Sequence, residues 1–243
     1  IEANEGAREY QAGHHIHEAV ALLQHVLRFA ELTDNVFHAR DLSMLLGDIY
    51  KQAGQADEAM TEYRRIVKLY EGHPPDHLLA ECYKDIGDIC KMKQTFHDGI
   101  EALNQALAIY ESLNDELEIS HTQNNLGNIY WVKPDLRRGT HHHRIALRIQ
   151  RRLGVAADVA STLNNIGASQ VMQGRFRRAI ILFEHSLKIA RELGNQGEIA
   201  RTLNNLGYTY HVIGHPSRAA DMLRESLEIN RRIGSKKEIL FNM

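Results

Sequence analysis

Apolar residues recur along this chain at i, i+3, i+4 and i+7, and the pattern itself returns every 40 residues. Leu163, Ile166, Gly167 and Gln170 share one face of a predicted helix. After Gly174 a second stripe runs through Phe176, Ala179, Ile180, Phe183, Leu187 and Ala190. Both stripes have the 3.6-residue period of an α-helix with one buried side. No sustained apolar–polar alternation marks a strand. Gly47, Gly87, Gly127, Gly167 and Gly207 lie 40 residues apart, each preceded by Leu or Ile. Three residues further on stand Tyr50, Cys90, Tyr130, Gln170 and Tyr210; twelve residues on stand Ala59, Gly99, Gly139, Ala179 and Ala219. One period earlier, Ala7, Tyr10, Ala19 and Leu23 fill the same slots.

The chain therefore reads as one domain over 1–243 made of six repeats: 1–39, 40–79, 80–119, 120–159, 160–199 and 200–243. Each repeat is predicted to be an antiparallel pair of helices, A then B. Gly54, Gly174 and Gly214 separate the two helices, and Gly154, Gly194 and Gly234 close the second. Glycine suits the position past a helix end, which often needs positive φ. Gln94 and Pro134 replace the separating glycine in two repeats, and His143 occupies the aromatic slot of one helix B. The small residues let helices A and B approach closely, and one hairpin cannot bury both its faces, so repeats must stack.

The residues that carry this pattern, L-G-x-x-Y, a turn glycine, then A-x-x-x-F/L-x-x-A/S-L, resemble the tetratricopeptide repeat. The period of 40 and the run Gly197 to Gly207 are similar to the variant found in LGN/Pins proteins, kinesin light chains and MalT-like regulators. The resemblance implies an all-α, right-handed superhelical solenoid whose helix A lines a concave groove at slots 2, 5, 6, 9 and 12, counting the glycine as slot 8. Slot 5 then reads Met44, Lys84, Asn124, Asn164, Asn204, and slot 6 reads Leu45, Asp85, Asn125, Asn165, Asn205. Slot 9 holds Asp48, Asp88, Asn128, Ala168 and Tyr208. Slot 12 holds Lys51, Lys91, Trp131, Val171 and His211, and Arg201 stands at a slot 2. An asparagine side chain can pair with both the C=O and the N–H of a peptide. At about 10 Å between helices and about 3.3 Å per extended residue, one Asn per repeat would meet about every third residue of a ligand. Slot 6 is favoured for this role; the alternative is that one Asn of each pair instead bonds a loop of a neighbouring repeat. The expected groove comprises Lys84, Asp88, Asn124, Asn125, Asn128, Trp131, Asn164, Asn165, Arg201, Asn204, Asn205, Tyr208 and His211. The chaperone-tail clamp of this family is not matched: Asp88 stands where that clamp has Asn, and Ser161 and Asn165 where it has Lys and Arg.

Charge adds an asymmetry. Residues 1–120 carry 10 Lys and Arg against 22 Asp and Glu, net −12; residues 121–243 carry 19 against 9, net +10. A groove ligand that is basic at one end and acidic at the other would suit this. Arg137, Arg138, Arg177, Arg178 and Arg218 avoid the core stripe and are expected on the convex side. Arg151, Arg152, Arg191, Arg231 and Arg232 fall in last helical turns, where cations complement the helix dipole. No aromatic residues interleave with these arginines, which argues against a base-stacking surface.

No nucleotide-binding, hydrolase, zinc-protease or EF-hand motif is present, and no enzyme activity or cofactor is expected. The 15 histidines include His14, His15, His17 and His141–His143, but consecutive helical residues point about 100° apart and do not converge on one ion. Cys82 and Cys90 are eight residues apart on one predicted helix, about 12 Å, beyond the roughly 7 Å limit for a disulfide. With no disulfide framework, the chain fits a reducing, cytoplasmic setting. No apolar run is long enough to span a bilayer. The absence of an initiator Met suggests a piece of a longer protein. The tail Lys237–Met243 starts another helix without a polar cap, so the chain is expected to continue or to pack this end on another copy. Two functions follow as expectations: an adaptor holding an extended partner segment in the groove, or the sensor arm of a larger signalling ATPase or transcription regulator.

Overall fold

The helix periodicity is realised throughout the computed structural model, which describes residues 20–33 and 35–234. His14, His15, His17, the first residues of repeat one and the tail Lys237–Met243 lie outside the described residues. The chain divides into two compact units, Ile1–Leu113 and Asn114–Met243. All regular structure among the described residues is α-helical.

In the first unit, α1 (20–32) is followed by α2 (Val36–Gln52), α3 (Ala56–Leu69), α4 (His77–Met92) and α5 (Phe96–Leu113). Helix α2 packs on α3, α3 on α4, and α4 on α5. In the second unit, α6 (Glu116–Val132), α7 (Leu136–Leu153), α8 (Ala156–Met172), α9 (Phe176–Glu192), α10 (Gln196–Val212) and α11 (Pro216–Ile233) each pack on the next. In repeat terms, even-numbered helices are A and the odd-numbered helices that follow them are B. The A helices α6, α8 and α10 also touch one another in order.

Local chemistry sets the helix ends. Asp76, Asp115, Asp135 and Asn195 each accept a backbone N–H three residues on, at 3.0–3.2 Å, which satisfies a donor that the first turn leaves unpaired. Arg151 and Arg152, Arg191, and Arg231 and Arg232 do lie in the last turns of α7, α9 and α11. The turn between helices A and B puts one residue in the left-handed region, with φ of 71° at Gly174 and 82° at Gly214. Gln94 adopts the same conformation at φ 60° without being glycine. A side chain in that region costs about 1–2 kcal/mol. Gln94→Gly is therefore expected to stabilise the fold by about 0.5–1 kcal/mol after the extra chain entropy of glycine is allowed for, read as a higher urea midpoint.

The 40-residue glycine series has one steric cause. Each glycine receives the side chain 16 residues later on the following helix B. A Cβ on Gly47 would lie 2.6 Å from Tyr63 Cε1, on Gly87 2.7 Å from Leu103 Cγ, on Gly167 2.5 Å from Phe183 Cε1, and on Gly207 2.7 Å from Leu223 Cγ. The Gly127 position faces the His143 ring in the same way. Tyr63, Leu103 and Phe183 are wholly buried. In the second unit Phe183, Leu187, Leu203, Leu206 and Tyr210 belong to one apolar core. Cys82 and Cys90 are both buried on α4, and the Cys82 thiol donates to the Tyr63 carbonyl at 3.1 Å. Burial pushes that thiol well above its ordinary pKa.

Candidate functional site

Helices α6, α8 and α10 carry the T-x-N-N-[LI]-G motif three times, and its two asparagines have different surroundings. The first of each pair points to the next repeat. Asn124 Nδ2 donates to Thr162 Oγ1 at 3.0 Å, and Asn164 Nδ2 donates to Thr202 Oγ1 at 2.7 Å and to Glu198 Oε1 at 3.0 Å. The Thr162 hydroxyl donates in turn to Gln150 Oε1 at 2.8 Å, and that of Thr202 to Glu198 Oε1 at 3.3 Å. Thr122, Thr162 and Thr202 are fully buried, so each hydroxyl needs a partner. Asn164, expected in the groove, is therefore a buried inter-repeat clamp. Asn124 makes the same kind of bond while half-buried. Asn204 is also half-buried; the residue 38 positions on, Asn242, lies outside the described residues.

The second asparagine of each pair, turned about 100° further round the helix, is half-buried in all three repeats. Asn165 Nδ2 lies 3.4 Å from Asn128 Oδ1, and its Oδ1 accepts from Arg201 Nη1 at 3.1 Å. Arg201 is anchored by Glu198 Oε2, at 2.7 Å from Nη2 and 3.1 Å from Nε, and by Ser161 Oγ at 3.0 Å. Asn205 Nδ2 donates to Asn164 Oδ1 at 2.5 Å. Asn125 makes no side-chain hydrogen bond among the described residues. The result is a string of polar groups from Asn128 through Asn165 to Arg201, each with donor or acceptor capacity left over. Beside it, Trp131 is 41% exposed and Tyr208 56% exposed, and His211 is exposed on the same helix as Tyr208. Large aromatic surfaces left in water on a face of polar side chains are the kind of feature that binds a partner.

In the first unit the equivalent slots carry charge. Lys51 Nζ reaches Asp85 Oδ1 of the next repeat at 2.6 Å, Lys91 Nζ meets Asp88 at 2.7 Å, and Tyr63 donates to Asp48 at 2.8 Å. Burial works to lower the Lys51 ammonium, but Asp85, Asp48 and Asp88 outweigh it and hold it above its ordinary pKa. Burial raises Asp85, with Lys51 opposing. Lys84 lies over the Tyr110 ring, 5.5 Å from its centre. Asp88 thus sits in an ion pair and Lys84 over an aromatic ring, unlike the amide ladder of the second unit.

Two sets of residues were not expected. Glu118, Asp158 and Glu198 form an acidic series at the same period of 40. His121 is held between Glu118 and Asp158 at 3.1 Å each, as Arg201 is held by Glu198. The hydrogen bond that His121 donates to Glu118 is the main cause of its raised pKa. The histidine triplet splits: His142 stacks on Tyr130 and meets Gln123 at 2.7 Å, while His143 is buried beneath Gly127 with Nε2 at 3.2 Å from Asn128. No group of three or more His, Cys, Asp or Glu among the described residues is placed to hold a metal ion. No described helix is long and apolar enough to cross a membrane.

The family model of the tetratricopeptide repeat matches residues 39–112, 118–192 and 158–232. The chain belongs to the tetratricopeptide repeat family. Among solved structures, BtubC (BKLC) from P. vanneervenii is similar at a TM-score of 0.74 and 21% identity, over 90% of this chain and 92% of that one. The Rap conjugation gene regulator of plasmid pLS20, in complex with the Phr* peptide, is similar at 0.71 and 14% identity, over 88% of this chain and 59% of that one. A kinesin light chain protein of Podosopora anserina, with nearly identical TPR-like repeats, gives 0.63 and 14% identity over 80% and 96%. At such identities these likenesses concern the fold. No curated protein sequence matches the chain.

Proposed function

We propose that this tetratricopeptide repeat chain is a non-enzymatic interaction module that holds an extended segment of a partner protein against the A helices. The single observation that carries the reading is the half-buried amide ladder of α6, α8 and α10, with Asn125, Asn165 and Asn205 at its centre and the exposed rings of Trp131 and Tyr208 beside it. Amide side chains pair with a peptide backbone whatever its sequence, and the aromatic rings supply apolar anchorage. The similarity to a gene regulator solved with a peptide supports the same reading. It also favours the alternative in which this chain is the peptide-sensing part of a longer regulator, since it spans only 59% of that structure.

The test is a peptide-display selection followed by titration of the selected peptides. The combined variant N125A/N165A/N205A is expected to weaken them by at least the 1–3 kcal/mol that about one unmade hydrogen bond costs. The loss should be the same at low and high salt, because backbone pairing is screened far less than exposed charge. Peptides whose affinity ignores the triple variant would overturn the proposal.

A further inference from the structure

Slot 11 of helix A, three residues after the repeat glycine, is Tyr130 in one repeat of the second unit and Tyr210 in another, and Gln170 in the repeat between them. The tyrosines serve the arginine eight residues on. Arg138 lies 5.7 Å from the Tyr130 ring centre and also pairs with Asp135, and Arg218 lies 5.6 Å from the Tyr210 ring centre. Arg178 is the equivalent of both, and Gln170 has taken its ring away. Among the described residues Arg178 has neither an aromatic face nor a carboxylate. Gln170 is only 4% exposed, and its side-chain amide has no hydrogen-bond partner there either. The Gln170 amide atoms still reach solvent at the furrow floor, so they keep free donor and acceptor capacity there.

Both groups face the same place. Two depressions, about 370 and 410 Å3 in volume, meet over Gln170 and Arg144 in the furrow between α7 and α9. The first has an apolar floor that includes Leu163, Ile166 and Leu182, with Arg151 and Arg178 at its rim. The second is walled by Arg137 and Arg175. The five arginines of the furrow, Arg137, Arg144, Arg151, Arg175 and Arg178, are all exposed, and none has an ion-pair partner among the described residues. By contrast Arg138, Arg152, Arg191, Arg201 and Arg224 in the same unit are paired.

We infer that this furrow is a second binding site, separate from the amide ladder, for an acidic protein segment in which carboxylates alternate with aliphatic side chains. Guanidinium groups match carboxylates in a two-pronged geometry, and the Gln170 amide can donate to a backbone carbonyl or a carboxylate. The aliphatic floor selects a polypeptide over a nucleic acid, which would want aromatic rings for its bases. The furrow lies in the half of the sequence with net charge +10, so long-range attraction would speed the encounter.

The experiment is fluorescence anisotropy with a labelled peptide of alternating glutamate and leucine, titrated with the whole chain. R144E/R178E, two exposed positions, should weaken the peptide by about tenfold or more while leaving the melting temperature unchanged. Q170Y, which restores the repeat's ring and fills the floor, should weaken it too. In the N125A/N165A/N205A background, where the ladder is disabled, R144E/R178E should weaken the peptide by the same factor, which separates this site from the ladder. Three results would overturn the inference: R144E/R178E binding like the wild type, equal binding of a glutamine–leucine peptide, or tighter binding of a single-stranded oligonucleotide of the same charge.

Discussion

Gly167→Leu is expected to destabilise the second unit by about 3 kcal/mol or more, at the upper end of the cost of overpacking a filled core. The first added atom already decides the sign. A Cβ at this position would lie 2.5 Å from Cε1 and 2.8 Å from Cδ1 of Phe183. Phe183 is wholly buried and has no solvent into which to swing, so either the ring leaves its rotamer or α8 and α9 move apart. Both neighbours of that pair, α7 and α10, would feel the displacement, since each repeat packs on the next. At about 2–4 °C per kcal/mol for a chain of this size, the melting temperature should fall by roughly 10 °C. Adding Phe183→Ala to the glycine variant should cost less than the two separate effects combined, because the void accepts the new side chain. Thermal unfolding followed by circular dichroism checks both statements. An unchanged melting point for the single variant would mean that helices A and B do not approach at Gly167.

The second large effect depends on pH. His143 occupies the slot filled by Tyr63, Leu103, Phe183 and Leu223 in the other repeats, and it is only 1% exposed. Burial penalises its imidazolium and, although the Asn124 backbone favours the charged form, holds its pKa down to about 4. The unfolded chain, with an ordinary histidine near 6.5, takes up the proton first. The stability tied to a neutral His143 is therefore complete above about pH 6.5 and is lost as pH falls from 6.5 towards 4, by about 3 kcal/mol in all. His121 works in the opposite sense: its raised pKa adds stability at low pH that disappears as pH rises through the folded value. Comparing wild type with His143→Phe cancels His121 and the carboxylates. The phenylalanine variant should gain about 2–3 kcal/mol more at pH 4.5 than at pH 7.5, read from urea midpoints at the two values. A difference that does not change with pH would show that His143 is not buried as a neutral ring.

These two sites also show how far the sequence could be read. The period of 40, the helix pairs and the steric role of the glycines follow from positions alone, because a missing Cβ recurring at one slot has few causes. The same arithmetic placed the asparagines of T-x-N-N on helix A but assigned Asn164 to an open face. Helical periodicity gives an angle around an axis. It does not give the distance and rotation between neighbouring repeats, and these bring Thr202 within 2.7 Å of Asn164. A signal was available: a threonine recurring in a core slot needs a hydrogen-bond partner, and the first asparagine of the preceding repeat is a constant 38 residues away. The acidic series Glu118, Asp158 and Glu198 was equally periodic and equally informative. The Gln170 substitution was visible as a break in the tyrosine series. Its consequence for Arg178 was not, because the stacking of arginine on tyrosine eight residues away crosses from helix A to helix B.

The central claim, that a partner segment lies along the A helices of the second unit, is tested most directly by photo-crosslinking. A display-selected peptide without Asp or Glu, and so no ligand for the arginine furrow, would carry a benzophenone at its centre. It would be irradiated with the protein, and the crosslinked residues mapped by mass spectrometry. The account predicts crosslinks on α6, α8 and α10, at or beside Trp131, Asn165 and Tyr208. Crosslinks confined to α7, α9 and α11 would contradict it.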